Sequence, residues 1–160
     1  MTSRNRQFGW SLIEAAIVLV IVAAVSALVV APFMVTGASI DAEAERVAAD
    51  IRYVQFLSMS LNQRFRINFS SDQYSLTELD GTTEVMHPVT ASNIVLLGSG
   101  VSLATDLTNN YLVFDSMGVP YVDNEVPGTA LDTVGNITLT LDGENRVITI
   151  TPETGKVTVP

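Results

Sequence analysis

The sequence predicts an α+β chain: a long N-terminal helix, membrane-spanning in its first half and amphipathic in its second, packed on an antiparallel β-sheet domain. Three observations carry this expectation. Residues 15–31 hold no charged side chain, residues 40–62 place apolar side chains at helical steps, and short runs beyond Asn62 alternate apolar and polar residues between turn signals. A chain of 160 residues has room for one folded core beside the apolar run.

The first element begins after a polar, basic stretch, residues 1–9, which contains Arg4 and Arg6 and no acid. A secretory signal discards its apolar stretch at a small-residue cleavage site, and Pro32-Phe33-Met34 fits that pattern poorly. The run therefore reads as a retained single-pass anchor. Arg4 and Arg6 hold its N-terminal side in the cytoplasm by the positive-inside rule, leaving the C-terminal domain outside. As a helix, residues 15–31 span roughly 26 Å at ~1.5 Å per residue, so residues 10–13 must join to cross a ~30 Å hydrocarbon core. Joining them brings Glu14 into the membrane region. A lone acid near a helix centre costs about 2.5–3.5 kcal/mol on insertion scales, so an intramembrane carboxylate calls for a cationic partner. The other reading is an interfacial acid at a helix start, favoured by the macrodipole by ~0.3–1 kcal/mol. Pro32 lacks a donor and its ring clashes with the preceding turn, so it kinks or interrupts the helix, and Gly37 adds a second weak point.

In the second half, Ile40, Ala44, Val47, Ile51 and Val54 recur at three- and four-residue steps, and Leu61 falls two turns further on. Asp41, Glu43, Glu45, Asp50 and Arg52 lie elsewhere, which makes 40–62 an amphipathic helix. Ser39 or Asp41 caps its start. Phe56, Leu57 and Met59 are expected to widen its buried face. The alternating runs predict strands at 64–69, 74–79, 84–89, 93–97, 111–114, 137–141, 146–151 and 156–159. Asp80-Gly81, Gly98-Ser99-Gly100, Met117-Gly118, Asp142-Gly143 and Thr154-Gly155 mark turns between them.

Charge and composition exclude several functions. The formal net charge is -9, and without residues 1–9 the chain keeps 6 basic against 17 acidic residues, or -11. Such a surface repels phosphates, and with no basic patch after Arg6 no nucleic-acid partner is expected. Cysteine is absent, so disulfides, thiolate metal sites and cysteine nucleophiles are excluded. No nucleophile stands beside a base, and no cofactor, metal or catalytic residue is assigned. His87, the one histidine, precedes Pro88 without metal-ligand spacing and is given a structural or surface role. Asp115, Asp123, Asn124, Glu125 and Asp132 are candidate ligands that could converge on a calcium ion, but they lack the regular spacing of a calcium loop, and the other reading is solvated loop acids. The triplets at Asn68 and Asn136 match a glycosylation pattern too short to carry weight.

Gly9-Trp10-Ser11-Leu12-Ile13-Glu14, followed by an apolar run, resembles the type IV prepilin signature of Gly, an aromatic, Ser or Thr, Leu, Ile or Val, and Glu. That family more often has Phe where this chain has Trp10, and Leu or Val where it has Ala15. The resemblance implies that a prepilin peptidase cuts after Gly9 and N-methylates Trp10. It makes Glu14 the fifth mature residue, an assembly residue that pairs with the terminal ammonium of a neighbouring subunit. It divides the chain into a leader at 1–9, a transmembrane or filament-core helix at 10–38, bent at Pro32, and a pilin-like globular domain at 39–160. Three further segments, 47–52 with 58–66, Phe114-Asp115-Ser116-Met117-Gly118, and 148–157, resemble the GspH/FimT group of minor pilins and pseudopilins. The expected partners are the prepilin peptidase, other pilins or pseudopilins and the inner membrane. The expected place is that membrane, with the C-terminal domain periplasmic, or a type IV pilus or type II secretion pseudopilus. The function implied is a structural subunit and not an enzyme. A single-pass anchored periplasmic binding domain that never assembles is the alternative.

Overall fold

The structure, a computed structural model, describes residues 12–29 and 36–160. It forms two units, one ending at Met34 and one running from Val35 to Pro160. In the first, α1 (Leu12–Val29) is an 18-residue helix, roughly 27 Å long at ~1.5 Å per residue. Its side chains from Ile13 to Val22 are all exposed. Among the described residues no helix is long and apolar enough to cross a membrane.

In the second unit, α2 (Thr36–Leu61) starts four residues earlier than the sequence pattern indicates. Ser39 and Asp41 are therefore inside the helix and do not cap it; Asp41 instead accepts a charged hydrogen bond from Arg146 of β8 (Glu144–Ile150). The buried stripe of α2 is Ile40, Ala44, Val47, Ala48, Ile51, Val54 and Ser58. Phe56, Met59 and Leu61 are exposed, against expectation, while Leu57 is partly buried against the core. Helical geometry explains the miss: Phe56 lies about 200° around a 3.6-residue helix from Val54 and faces away from the stripe.

The strands form two antiparallel sheets where the sequence suggested one. β1 (Phe65–Phe69), β2 (Gln73–Glu78), β3 (Ile94–Leu96), β5 (Tyr111–Phe114) and β6 (Pro120–Tyr121) make a five-stranded sheet in the order β3-β2-β1-β5-β6. β4 (Ser102–Thr105), β7 (Gly135–Leu141), β8 and β9 (Val157–Thr158) make a four-stranded sheet in the order β4-β7-β8-β9. α2 packs against β1 and β5 of the first and against β7, β8 and β9 of the second. All three layers share one core. Strict alternation follows from this one-sided burial: Ile137, Leu139 and Leu141 of β7 point inward while their neighbours do not. At Asp142-Gly143 both residues have positive φ, 51° and 86°, as a two-residue type I′ hairpin turn between β7 and β8 requires.

The expected strand at 84–89 does not form. Glu84 makes an isolated bridge to Thr77, and the chain then turns at 88–90 because Pro88 has no N–H for a ladder and His87 folds its ring inward. β4 and β6 were not anticipated. The α2 side chains also cover sheet edges: Arg46 donates to Leu96 O of β3 at 2.8 Å, and Arg52 to Val157 O of β9 at 3.0 Å. Each satisfies a carbonyl that would otherwise template another strand.

Candidate functional site

Of the residues to which the sequence assigns processing or assembly, Gly9, Trp10 and Pro32 lie outside the described residues. Glu14 sits in the first turn of α1, exposed, where its charge suits the positive end of the helix dipole. Around it the helix is apolar on every side. Ile13, Ile17, Val18, Leu19, Val20, Ile21 and Val22 are all exposed, Leu19 to 70 %. One shallow apolar groove of about 240 Å³ runs along Ile13, Ala16, Ile17, Val20 and Ile21. A helix with such a surface is stable in lipid or among other apolar helices and is poorly matched to water.

In the globular unit, the three segments singled out in the sequence converge at the C-terminal end of α2. Gln55 Nε2 donates to Gly118 O and to Thr154 O, both at 2.9 Å, tying the 115–118 turn and the β8–β9 turn to the helix. Asp115 Oδ1 accepts from Met117 N and Val119 N at 2.8 and 2.9 Å and closes the first turn. Gly118 (φ +81°) and Gly155 (φ +61°) adopt the left-handed conformation. A Cβ on Gly155 would stand 2.6 Å from both Gln55 Nε2 and Gly118 O, so only glycine lets the two turns meet. Sequence reading found both glycines as turn residues and missed Gln55, whose amide has no local signal.

The candidate calcium ligands do not converge. Asp115 is taken up by its own turn. Asp123 accepts from Thr129 N at 2.8 Å and Glu125 N at 3.2 Å, and the bonds from Thr129 chiefly hold its carboxyl below the usual range. Asn124 lines an open cleft of about 540 Å³ beside Arg64 and Asp80, and Asp132 lines a different one. Among the described residues no group of three or more His, Asp or Glu is placed to hold a metal ion. The side chains of Asn68 and Asn136 are also engaged, Asn68 by Arg66 and Thr77 and Asn136 by Asp106.

His87 is buried and pairs with Asp50, which also accepts from the Tyr74 hydroxyl. Burial, then the bond to Asp50, pushes the Tyr74 phenol well above its ordinary pKa, so it stays a donor.

The family model described as Type II transport protein GspH matches residues 43–155, which contain the whole Gln55, Gly118 and Gly155 node. The chain belongs to the GspH family. Solved structures carry a similar fold. The type IV minor pilin FimU of Pseudomonas aeruginosa (strain PAO1) is 15 % identical with a TM-score of 0.55, over 75 % of this chain and 87 % of that one. The minor pseudopilin EpsH from the Type 2 Secretion System of Vibrio cholerae is 14 % identical with a TM-score of 0.55, over 75 % of this chain and 94 % of that one. No curated protein sequence matches. At these identities the likeness shows the fold, and it is the pilin-like α+β arrangement expected for a GspH-family minor pilin or pseudopilin.

Proposed function

We propose that this GspH-family protein is a minor pilin or pseudopilin subunit, cut after Gly9 and N-methylated on Trp10 by a prepilin peptidase, and assembled into a type IV pilus or type II secretion pseudopilus. It is not an enzyme in this reading. Residues 10–38 form the inner-membrane and filament-core helix, bent at Pro32, and 39–160 the periplasmic domain. The observation that carries the proposal is α1: apolar on every described side, with one carboxylate, Glu14, in its first turn. Such a helix needs neighbours of its own kind or lipid, and its carboxylate needs a cation. In a bundle of parallel helices, the mature amine of one Trp10 supplies that cation to the Glu14 of the next.

Glu14→Gln removes the charge with little change of shape. Membrane insertion and the cut after Gly9, read by intact mass, are expected to survive, and crosslinking to other pilins in cells is expected to fail. Leaving one charge unpaired in an apolar bundle costs about 3–5 kcal/mol. At ~1.4 kcal/mol per tenfold, that exceeds roughly a hundredfold in assembly. A Gln variant that crosslinks like wild type at matched membrane levels sinks the filament reading and leaves the anchored binding domain ahead. A mature chain that starts at Met1, or is cut after Ala31, sinks the processing step.

A further inference from the structure

Between α2, β2 and the loop that leads into β3 lies a buried polar cluster to which the proposed function assigns no role. Asp50, Tyr74 and His87 are 8 %, 0 % and 6 % exposed. His87 Nε2 lies 2.9 Å from Asp50 Oδ1. Its other nitrogen, Nδ1, lies 3.3 Å from the backbone N of Val89 and 3.3 Å from that of Thr90. Two N–H donors aimed at one ring nitrogen require it to be an acceptor, so the ring is the neutral tautomer with its proton on Nε2, donating to Asp50. The backbone of the same residue closes the loop: His87 N donates to Ser92 O at 2.9 Å, and Ala91 N donates to His87 O at 3.0 Å. The imidazole thus joins the helix to Val89 and Thr90, and the backbone of the same residue ties in Ala91 and Ser92.

We propose that His87 is a proton-operated latch for the loop at residues 87–92: a proton added to Nδ1 turns an acceptor into a donor, opposes it to the Val89 and Thr90 N–H groups, and releases the loop. Something must then yield, either the loop or the bond to Asp50. Giving up the bond would leave a charged ring and a charged carboxylate buried apart, which is strongly unfavourable. Giving up the loop sends two amides to water, and Val89 is already 85 % exposed. The loop therefore opens, and Nε2–H stays on Asp50 in a charge-assisted bond.

The other groups facing the ring do not change this outcome. From α2, Tyr53 meets it edge-on with centroids 6.2 Å apart, and Arg46 stands 6.0 Å from the Tyr74 ring while paired to Glu43. From β2, Tyr74 reaches His87 only through Asp50. On the loop side no acid or base touches Nδ1 among the described residues. The loop carries the exposed Val89 and leads through Asn93 into edge strand β3, so the latch bears on the order of that flank of the five-stranded sheet.

The test uses the full-length chain in detergent micelles, followed by NMR from pH 8 to 5. As the His87 imidazole titrates, the Val89 and Thr90 amides are expected to lose at least tenfold in exchange protection beyond the intrinsic pH effect, while Gly118 and Gly155 keep theirs. In His87→Gln, whose carboxamide oxygen can still accept from the loop, that pH step is expected to vanish. The proposal is overturned if His87 titrates with the two amides unchanged, if it does not titrate before the domain unfolds, or if the step persists in the Gln variant. Should His87→Gln fail to fold, the wild-type titration alone decides.

Discussion

Both helices of this chain are rich in apolar residues, and they meet opposite fates. Ile40, Ala44, Val47, Ala48 and Ile51 of α2 are wholly buried, whereas Ile17, Leu19, Val20 and Ile21 of α1 are more than half exposed. Both the amount of apolar surface and its arrangement separate them: α1 carries a single charged residue, Glu14, and α2 carries six. Apolar residues in α2 follow one stripe that two sheets cover, with Arg46, Arg52, Gln55 and Asp41 bonded to the sheets and turns around it. In α1 they go all round, so no single face of one domain is able to cover them. A one-sided helix is completed by its own chain, and an all-round one by lipid or by other helices.

The strongest way to break this division is to place a carboxylate on each helix. Ile51→Asp buries an unpaired acid at a cost of several kcal/mol, a large share of the ~5–15 kcal/mol that holds a domain together. Cooperative thermal unfolding, followed by circular dichroism, is expected to disappear. Val20→Asp on α1 and Phe56→Asp on the outer face of α2 should leave that transition in place, and under the proposed anchoring Val20→Asp should instead weaken recovery of the chain with membranes. If Val20→Asp unfolded the domain, the separation of the two helices would be wrong.

A smaller effect tests how tightly the sheets close around α2. Gly155→Ala meets a left-handed backbone, worth roughly 1–2 kcal/mol, and a crowded site, worth about 1–3 kcal/mol more. Gly143→Ala has the same backbone problem, with φ +86°, but nothing within 4 Å of the added carbon. Denaturant titration is expected to show Gly155→Ala losing clearly more stability than Gly143→Ala. Equal losses would mean that the node around Gln55 is loose.

The smallest expected effect is electrostatic. Asp80 accepts hydrogen bonds from Thr83 and then Thr82, and these hold its carboxyl well below the usual range. A depressed folded-state pKa stabilises the fold above the unfolded value, about 3.9, and that contribution is lost as pH falls below it. Asp80→Ala should therefore lower Tm slightly at pH 7, with the gap to wild type narrowing below about pH 4. A gap that stays constant with pH would assign the effect to packing.

Some of this fold was legible because its signals are local. The apolar stripe of α2, the alternation of β7 and the Asp142-Gly143 turn each depend on residues within a few positions of one another. Of the candidate site, Gly9, Trp10, Glu14 and Pro32 rest on such a signal, a short motif read along the chain. Other features depend on partners far along the chain. Ser102–Thr105 is a strand because β7 supplies its ladder, and Phe56 is exposed because the sheets lie on the other side of α2. Gln55 reaches 63 and 99 residues ahead for its two carbonyls. His87 became a buried link to Asp50 only when the fold brought α2 beside its loop. By itself the sequence determined the amphipathic helix, most of the strands and the inward side of β7, since those follow from backbone geometry and side-chain spacing, while β4, β6 and the turn at 88–90 did not follow from it. Tertiary structure alone decided which polar side chains are buried and what they hold, because a hydrogen-bond partner is chosen by distance in space and leaves no period in the chain.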